Sequence, residues 1–549
     1  MKTSSVLVNY CGYPNSANNL MLDNGMANLA GSLLENGHET IIMDFATLDT
    51  VRNFYPVKFH AELTKLVGRI TQSLSSHLEA EVADVERLRE IEKGVEEFQQ
   101  QKLDEMTRQL VRTVSKRKCD FVGFKLWTGE GFVASMRMAE ALRHEFPALH
   151  IYAGGPHNDY FKQLTFGETR AFDALVYGEG EAVIPMLAEV ALGQRELSSV
   201  PNVIYRRGDM VLTTPEKQIL ELDELPRPVY DEEIYPAMRG NQKVKVVPVD
   251  ESRGCPKKCS FCIHTAKSGN RWRLKDPARF VGDLEWMQER YGFHVFRFAG
   301  SNTPSKLQRD IAAQLRERKT NIRYGAFTTA GYVKDYAELH RSGCYALFFG
   351  METGSQLLLD TVMNKGITRD CMMTSLKRCR EAGIFTVAST ICPAPRETAE
   401  TRRDTVSLLL EARPSSVLIN LPGLIQGTGW GNNYLDYGFE LENAETFYRT
   451  MMRYRVKPTF PPELWNPLPY TLNGKDFRQM VRESGDYART LTSQGIPVGI
   501  SDELALIASC TDLSPEEFQR ENISAFSSGH FDRIERLVRS VNRGALTAG

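Results

Sequence analysis

No stretch of this sequence approaches the roughly 18 consecutive apolar residues that a membrane-spanning helix needs, although 42% of its 549 residues are hydrophobic. An excess of either charge is missing too: 67 Lys and Arg stand against 69 Asp and Glu, a formal net charge of −2. Such a balance leaves no basic footprint for nucleic acid. The expected ligand is a small molecule, and neither nucleic acid nor a membrane is an expected partner. The start, Met1 to Tyr13, lacks the longer apolar core and cleavage pattern of a signal peptide and reads as a strand. A soluble, cytoplasmic protein is the expectation. No internal repeat or low-complexity tract is present. Cysteine is sparse, and seven of the ten (Cys11, Cys119, Cys344, Cys371, Cys379, Cys392, Cys510) are scattered. Scattered cysteines in such a compartment speak against a disulfide framework and suit small buried hydrophobes. The other three are clustered, which points to metal or redox chemistry.

The length suggests about three or four domains. Residues 1–195 alternate short apolar runs (Val6–Val8, Thr40–Met43, Phe121–Phe124, His150–Tyr152, Ala174–Tyr177) with helical patterns, the signature of a doubly wound, Rossmann-like α/β sheet. An insertion at about 57–118, rich in Glu, Gln, Lys, Arg and Leu, reads as helical. Five prolines mark 196–244 as a linker, with a small hairpin turned at Gly208-Asp209. A second series of six strands and intervening helices over 245–430 suggests a partial (β/α)6 barrel with chemistry at its strand C-termini. Residues 431–549 read as a mainly helical C-terminal cap over a substrate site that Trp430, Tyr434, Phe447, Tyr448, Trp465 and Tyr470 are candidates to line.

The three clustered cysteines follow a strand in Ser252-Arg253-Gly254-Cys255-Pro256-Lys257-Lys258-Cys259-Ser260-Phe261-Cys262. Three thiolates within eight residues can hold a cubic 4Fe-4S cluster and leave one iron open to an external chelate. Because His264 lies two residues on, a structural zinc site is the alternative.

This spacing, with an aromatic before the third cysteine, resembles the radical S-adenosylmethionine (SAM) superfamily over about 245–425. Gly350-Met351-Glu352-Thr353-Gly354-Ser355, Met363-Asn364-Lys365-Gly366 and, more loosely, Pro393-Ala394-Pro395-Arg396-Glu397-Thr398 resemble stretches of those relatives. The resemblance implies a cluster on Cys255, Cys259 and Cys262 and SAM beside Phe261, Ser301, Asn302 and Glu352. It also implies one-electron cleavage of SAM to a 5′-deoxyadenosyl radical, fed by an external donor such as flavodoxin or ferredoxin. A helix N-terminal carboxylate is the other role open to Glu352. At Gly300-Ser301-Asn302 the chain departs from the acidic residues many relatives carry.

Upstream, Lys125-Leu126-Trp127-Thr128-Gly129, Gly154-Gly155-Pro156-His157 and Tyr177-Gly178-Glu179-Gly180-Glu181 follow successive strands. In that order they resemble the cobalamin-binding domain of cobalamin-dependent radical SAM enzymes. The resemblance implies cobalamin contacts from Leu126, Trp127, Thr128, Gly154, Gly155, Pro156, His157, Tyr177, Gly178, Glu179 and Gly180. No histidine has Asp two residues before it, so no protein histidine is expected below the cobalt, and His157 is expected to line the nucleotide-tail loop. Gly427-x-Gly429-x-Gly431 reads as a flexible rim loop. The family reading is a methyltransferase that moves a methyl from methylcobalamin to a radical on a small natural-product precursor. Cobalamin-dependent ring formation or rearrangement is the alternative, and a zinc-stabilised, non-enzymatic ligand-binding module the distant one.

Overall fold

The computed structural model describes residues 2–53, 56–75, 80–456 and 462–547. Its first sheet is built on β1 (Ser4–Asn9), buried at every residue but the first, as expected of a parallel strand covered by helices on both faces. With β1 run β2 (Glu39–Asp44), β3 (Phe121–Lys125), β4 (His150–Gly154) and β5 (Ala174–Val176), all parallel, in the order β2-β1-β3-β4-β5. The order reverses between β1 and β3, and in such sheets ligands bind beyond the strand C-termini at that switch. The linker hairpin, β6 (Val203–Arg207) and β7 (Met210–Thr213), pairs antiparallel and extends this sheet to seven strands.

The insertion between β2 and β3 contains helices His60–Ser75 and Val82–Arg117. At 36 residues the second is roughly 54 Å long. Leu63, Leu66, Ile70, Leu88, Ile91 and Val95 close a small core of their own between the two.

The second sheet begins at β8 (Val247–Val249), followed by a short antiparallel pair, β9 (Ser252–Arg253) and β10 (Arg273–Leu274). β11 (Val295–Phe298), β12 (Arg323–Thr328), β13 (Cys344–Glu352), β14 (Phe385–Ile391) and β15 (Ser416–Asn420) complete it. Six parallel strands stand in the order β15-β14-β13-β12-β11-β8, and the two end strands do not pair, so the barrel is open. Its helices start where the sequence supplies caps. Asp276 accepts from the Arg279 amide, Thr368 from the Cys371 amide, and Thr398 and Thr401 cap reciprocally.

The helical C-terminal part divides. Phe439, Phe447, Tyr448 and Tyr470 pack with the first sheet's helices in one core, above the barrel strands' C-termini. The helices Asp502–Ala508, Pro515–Ser527 and Phe531–Thr547 lie at the opposite end. There Leu506 and Val541 pack with Val246 and Val295, and Asn542 bonds the Lys245 amide at 2.8 Å. These last helices seal the barrel's floor, at the end away from the strand C-termini. The open lower rim carries apolar strand starts that need burial.

Candidate active site

The cluster loop is held in place by backbone contacts from distant parts of the chain. The Cys255 amide donates to the Gly269 carbonyl (3.2 Å), the Ser260 amide to the Met363 carbonyl (3.0 Å) and the Trp430 amide to the Ser260 carbonyl (2.8 Å). Gly254, at φ +80, passes so close to Arg271 that a Cβ there would stand 2.1 Å from its carbonyl oxygen. The Gly427–Gly431 run expected as a flexible rim is instead packed here: Thr428 caps the turn Gly429–Asn432, and buried Trp430 donates from Nε1 to the Val362 carbonyl.

All three thiols open into one cavity of about 430 Å³, together with Phe261, Ser301, Asn302 and Glu352. Burial pushes the Cys262 thiol up to about 11 and raises Cys259 as well. Three soft thiolate donors around a shared cavity fit an iron–sulfur cluster. His264, the fourth ligand the zinc alternative would need, bonds Ser301 Oγ through Nδ1 at 3.0 Å. Among the described residues no group of three or more His, Cys, Asp or Glu is gathered closely enough for a single ion.

Glu352 ends β13 with φ +66, an uncommon conformation for a residue with a Cβ, at a shift in strand register. Its Oε1 accepts from buried Lys365 Nζ at 2.8 Å. Burial opposes the charge on Lys365, but Glu352 and the neighbouring Cys259 thiol hold its pKa above the usual value. Nζ also lies 5.4 Å from the Phe261 ring. Glu352 is therefore the ion-pair partner of a lysine facing the thiols, and no helix N-terminus accounts for it. Lys365 lies in the Met363–Gly366 stretch that resembles those relatives; its pairing with Glu352 depends on a contact across thirteen residues.

The Gly300-Ser301-Asn302 loop, which departs from the acidic residues expected there, packs on a carboxylate from the turn after β8. Fully buried Glu251 accepts from Thr303 Oγ1 (2.5 Å), Ser252 Oγ (3.0 Å) and the Gly300 amide (3.0 Å). Gly300 makes room for it: a Cβ there would lie 2.1 Å from Glu251 Oε1.

A second cavity, about 310 Å³, lies between the C-terminal ends of the first sheet and the cluster hairpin. Five of the eleven residues that the resemblance assigns to cobalamin, Gly154, Gly155, Gly178, Glu179 and Gly180, line it, and Asn24, Asn28, Leu29, Lys125, Asp250 and Arg253 join them. Ser301 and His264 line both cavities, so the two meet there. The other six candidates do not line it. Trp127 Nε1 donates to Asn9 (2.8 Å), Tyr177 donates to the Thr214 carbonyl (2.6 Å), Leu126 is fully buried, Pro156 is half-buried and Thr128 is exposed. His157 corrects its expectation outright. It is fully buried in the core, stacked 4.0 Å from the Phe132 ring and 4.8 Å from Phe161, with neither ring nitrogen bonded. Glu179, at the cavity wall, is also spent elsewhere: it takes Arg273 Nη1 at 2.7 Å and the Ile219 amide at 2.7 Å. Of the six aromatics expected at the substrate site, only Trp430 lines the thiol cavity.

Residues 252–409 match the radical SAM superfamily model, so this part of the chain is a radical SAM domain. Among curated relatives, an uncharacterised methyltransferase of Pyrococcus horikoshii is 27% identical over 53% of this chain and 64% of its own length. The anaerobic magnesium-protoporphyrin IX monomethyl ester cyclase of Synechocystis is 27% identical over 46% and 52%. The cobalamin-dependent radical SAM methyltransferase TokK of Streptomyces tokunonensis is 24% identical over 51% and 43%. The matched region thus spans less than two thirds of these relatives. The fold is that of the radical SAM methyltransferase TsrM from Kitasatospora setae, solved with cobalamin and a [4Fe-4S] cluster (TM-score 0.56, 16% identity, 81% of each chain). The cobalamin-dependent radical enzyme OxsB shares it (TM-score 0.56, 16% identity, 79% of this chain and 56% of that one).

Proposed function

We propose that the protein is a cobalamin-dependent radical SAM methyltransferase acting on a small molecule. The observation that carries this reading is the junction of two cavities at Ser301 and His264, one walled by three thiols and the other by the glycine loops of a doubly wound sheet. Cys255, Cys259 and Cys262 would ligate the cluster, and Gly154, Gly155, Gly178 and Gly180 would let a cobalamin tail approach the backbone closely. When bound, the cluster with SAM supplies a carbon-centred radical and the corrinoid a methyl group.

The chain's own contribution is placement and exclusion of water. Lys365 and Glu352 set fixed, paired charges beside the thiols. Ser301, Asn302 and Phe261 are the remaining candidates to orient SAM, and Asn302 keeps a buried, unpartnered Oδ1 for it. Half-buried Lys257 and exposed Lys258 give the loop's rim a positive face suited to an acidic one-electron donor such as flavodoxin or ferredoxin. Among the described residues no helix is long and apolar enough to cross a membrane.

The test is anaerobic reconstitution with iron, sulfide and cobalamin, then SAM turnover with candidate acceptors. Methyl transfer requires 5′-deoxyadenosine and S-adenosylhomocysteine in equal amounts. Ring formation remains a second reading because three curated relatives are cyclases, and it is selected if 5′-deoxyadenosine appears without S-adenosylhomocysteine. Cys259→Ala is expected to remove cluster absorbance and 5′-deoxyadenosine release together. Retained release would remove the cluster assignment.

A further inference from the structure

Among the described residues, only Ser301 and His264 line both cavities. Ser301 stands on the loop after β11, and that loop is fixed on either side of it. The Gly300 amide donates to Glu251, and Trp272 Nε1 donates to the Asn302 carbonyl at 3.0 Å. The bond between Ser301 Oγ and His264 Nδ1 therefore anchors one ring nitrogen to a fixed point. The other, Nε2, has no partner among the described residues. Unlike both ring nitrogens of His157, it is not sealed from the cavities.

The backbone that carries this ring is tied to both sites. His264 opens the short helix His264–Ser268, two residues after the thiol of Cys262. From the same helix Lys267 Nζ lies 3.6 Å from Asp159, whose carboxylate accepts from the Gly178 amide at 2.7 Å. The Ser268 carbonyl accepts from Arg273, the arginine that holds Glu179. The helix thus connects the thiolate loop to the Gly178–Gly180 turn of the first sheet. A ligand in one cavity alone leaves Nε2 open to water from the other. Filling both cavities excludes that water, and a hydrogen bond from a ligand to Nε2 gains strength in the drier site. Each ligand then tightens the other, and linkage makes the two factors equal.

We infer that His264, anchored by Ser301, is a positioning residue that couples the two cofactor sites, so that SAM and cobalamin each bind more tightly in the presence of the other. This rests on the cobalamin-dependent reading above and assigns a role to the side chain where the two cavities meet.

The test measures SAM affinity by anaerobic calorimetry on the full chain with its cluster reconstituted and kept oxidised, with and without hydroxocobalamin, so that no turnover occurs. Hydroxocobalamin is expected to tighten SAM about fivefold or more. His264→Ala is expected to reduce that factor to about one while iron content and corrinoid retention stay unaltered, a change that a merely structural role would not produce. His264→Gln keeps a polar group near the place of Nε2 and is expected to restore part of the coupling. Ser301→Ala is expected to lose most of it, and to add nothing in the His264→Ala background. If His264→Ala loses iron or corrinoid, Ser301→Ala decides in its place. No coupling in the unsubstituted protein, or coupling undiminished in the deciding variant, overturns the inference. Failure of the unsubstituted protein to load corrinoid would sink the proposed function and this inference with it, whereas a loaded protein without coupling sinks the inference alone.

Discussion

His157 has a histidine's chemistry in a phenylalanine's place. Its ring is stacked on Phe132, neither nitrogen is bonded, and burial pushes its pKa down to about 3. The unfolded chain, with an ordinary value near 6.5, therefore binds the proton that the folded chain refuses. Stability from this residue is complete above pH 6.5 and is lost as pH falls from there toward 3. By pH 5 the loss is about 2 kcal/mol. His157→Phe is expected to remove that loss and to stabilise the apoprotein by about 1–2 kcal/mol by deleting two unsatisfied polar atoms. Urea unfolding at pH 5 and pH 7.5 checks both, and an unchanged acid loss in the variant would show that the ring is not the titrating group. In sequence, Gly154-Gly155-Pro156-His157 carries a glycine pair legible as close backbone approach, and both glycines do line the cavity. The side chain two residues on was not legible. A short helix, Pro156–Phe161, turns it into the core.

Among the elements, the antiparallel pair β9 and β10 joins the two cavities. Arg253 on β9 holds Glu181 (2.5 Å), Asp250 (2.7 Å) and Glu179 (3.4 Å), and Arg273 on β10 holds Glu179 from the other strand. Both acidic residues of the Gly178–Glu181 loop are thus tied to the strands that flank Gly254-Cys255. Arg253→Ala would leave the part-buried carboxylates of Asp250 and Glu181 without their shared guanidinium, at a cost of about 1–3 kcal/mol. Iron and cobalamin retention are expected to fall together, with Arg253→Lys intermediate because it keeps the charge without the fork. Iron loss at unaltered cobalamin retention would show that the hairpin serves the cluster alone. The resemblance assigned Glu179 to cobalamin because a loop's position is legible in sequence. Its two arginine partners lie 74 and 94 residues away and carry no pattern that announces the pairing.

For the whole molecule, the open barrel is closed from below by the chain's last helices. Leu506 is fully buried there, near the backbone of Gly325. Leu506→Ala is expected to cost about 2–5 kcal/mol while leaving the ratio of 5′-deoxyadenosine to S-adenosylhomocysteine unaltered. A changed ratio in folded variant would mean that the floor reaches the chemistry. Apolar helices after residue 500 were legible as helices but not as a floor, because amphipathic periodicity specifies a buried face without specifying what covers it.

Two kinds of information thus decided this protein. Sequence alone determined the parts that are local: the six barrel strands, the capped helices between them, the thiolate loop and the glycine turns of the first sheet. Each depends on residues a few positions apart, whose spacing the covalent chain enforces. Tertiary structure alone decided that Glu251 accepts from the Gly300 amide, that Lys365 faces Glu352, that His157 turns into the core, and that the cavities meet at Ser301 and His264. Most of those contacts join residues on different strands and loops, and which of them meet is set by how two sheets pack.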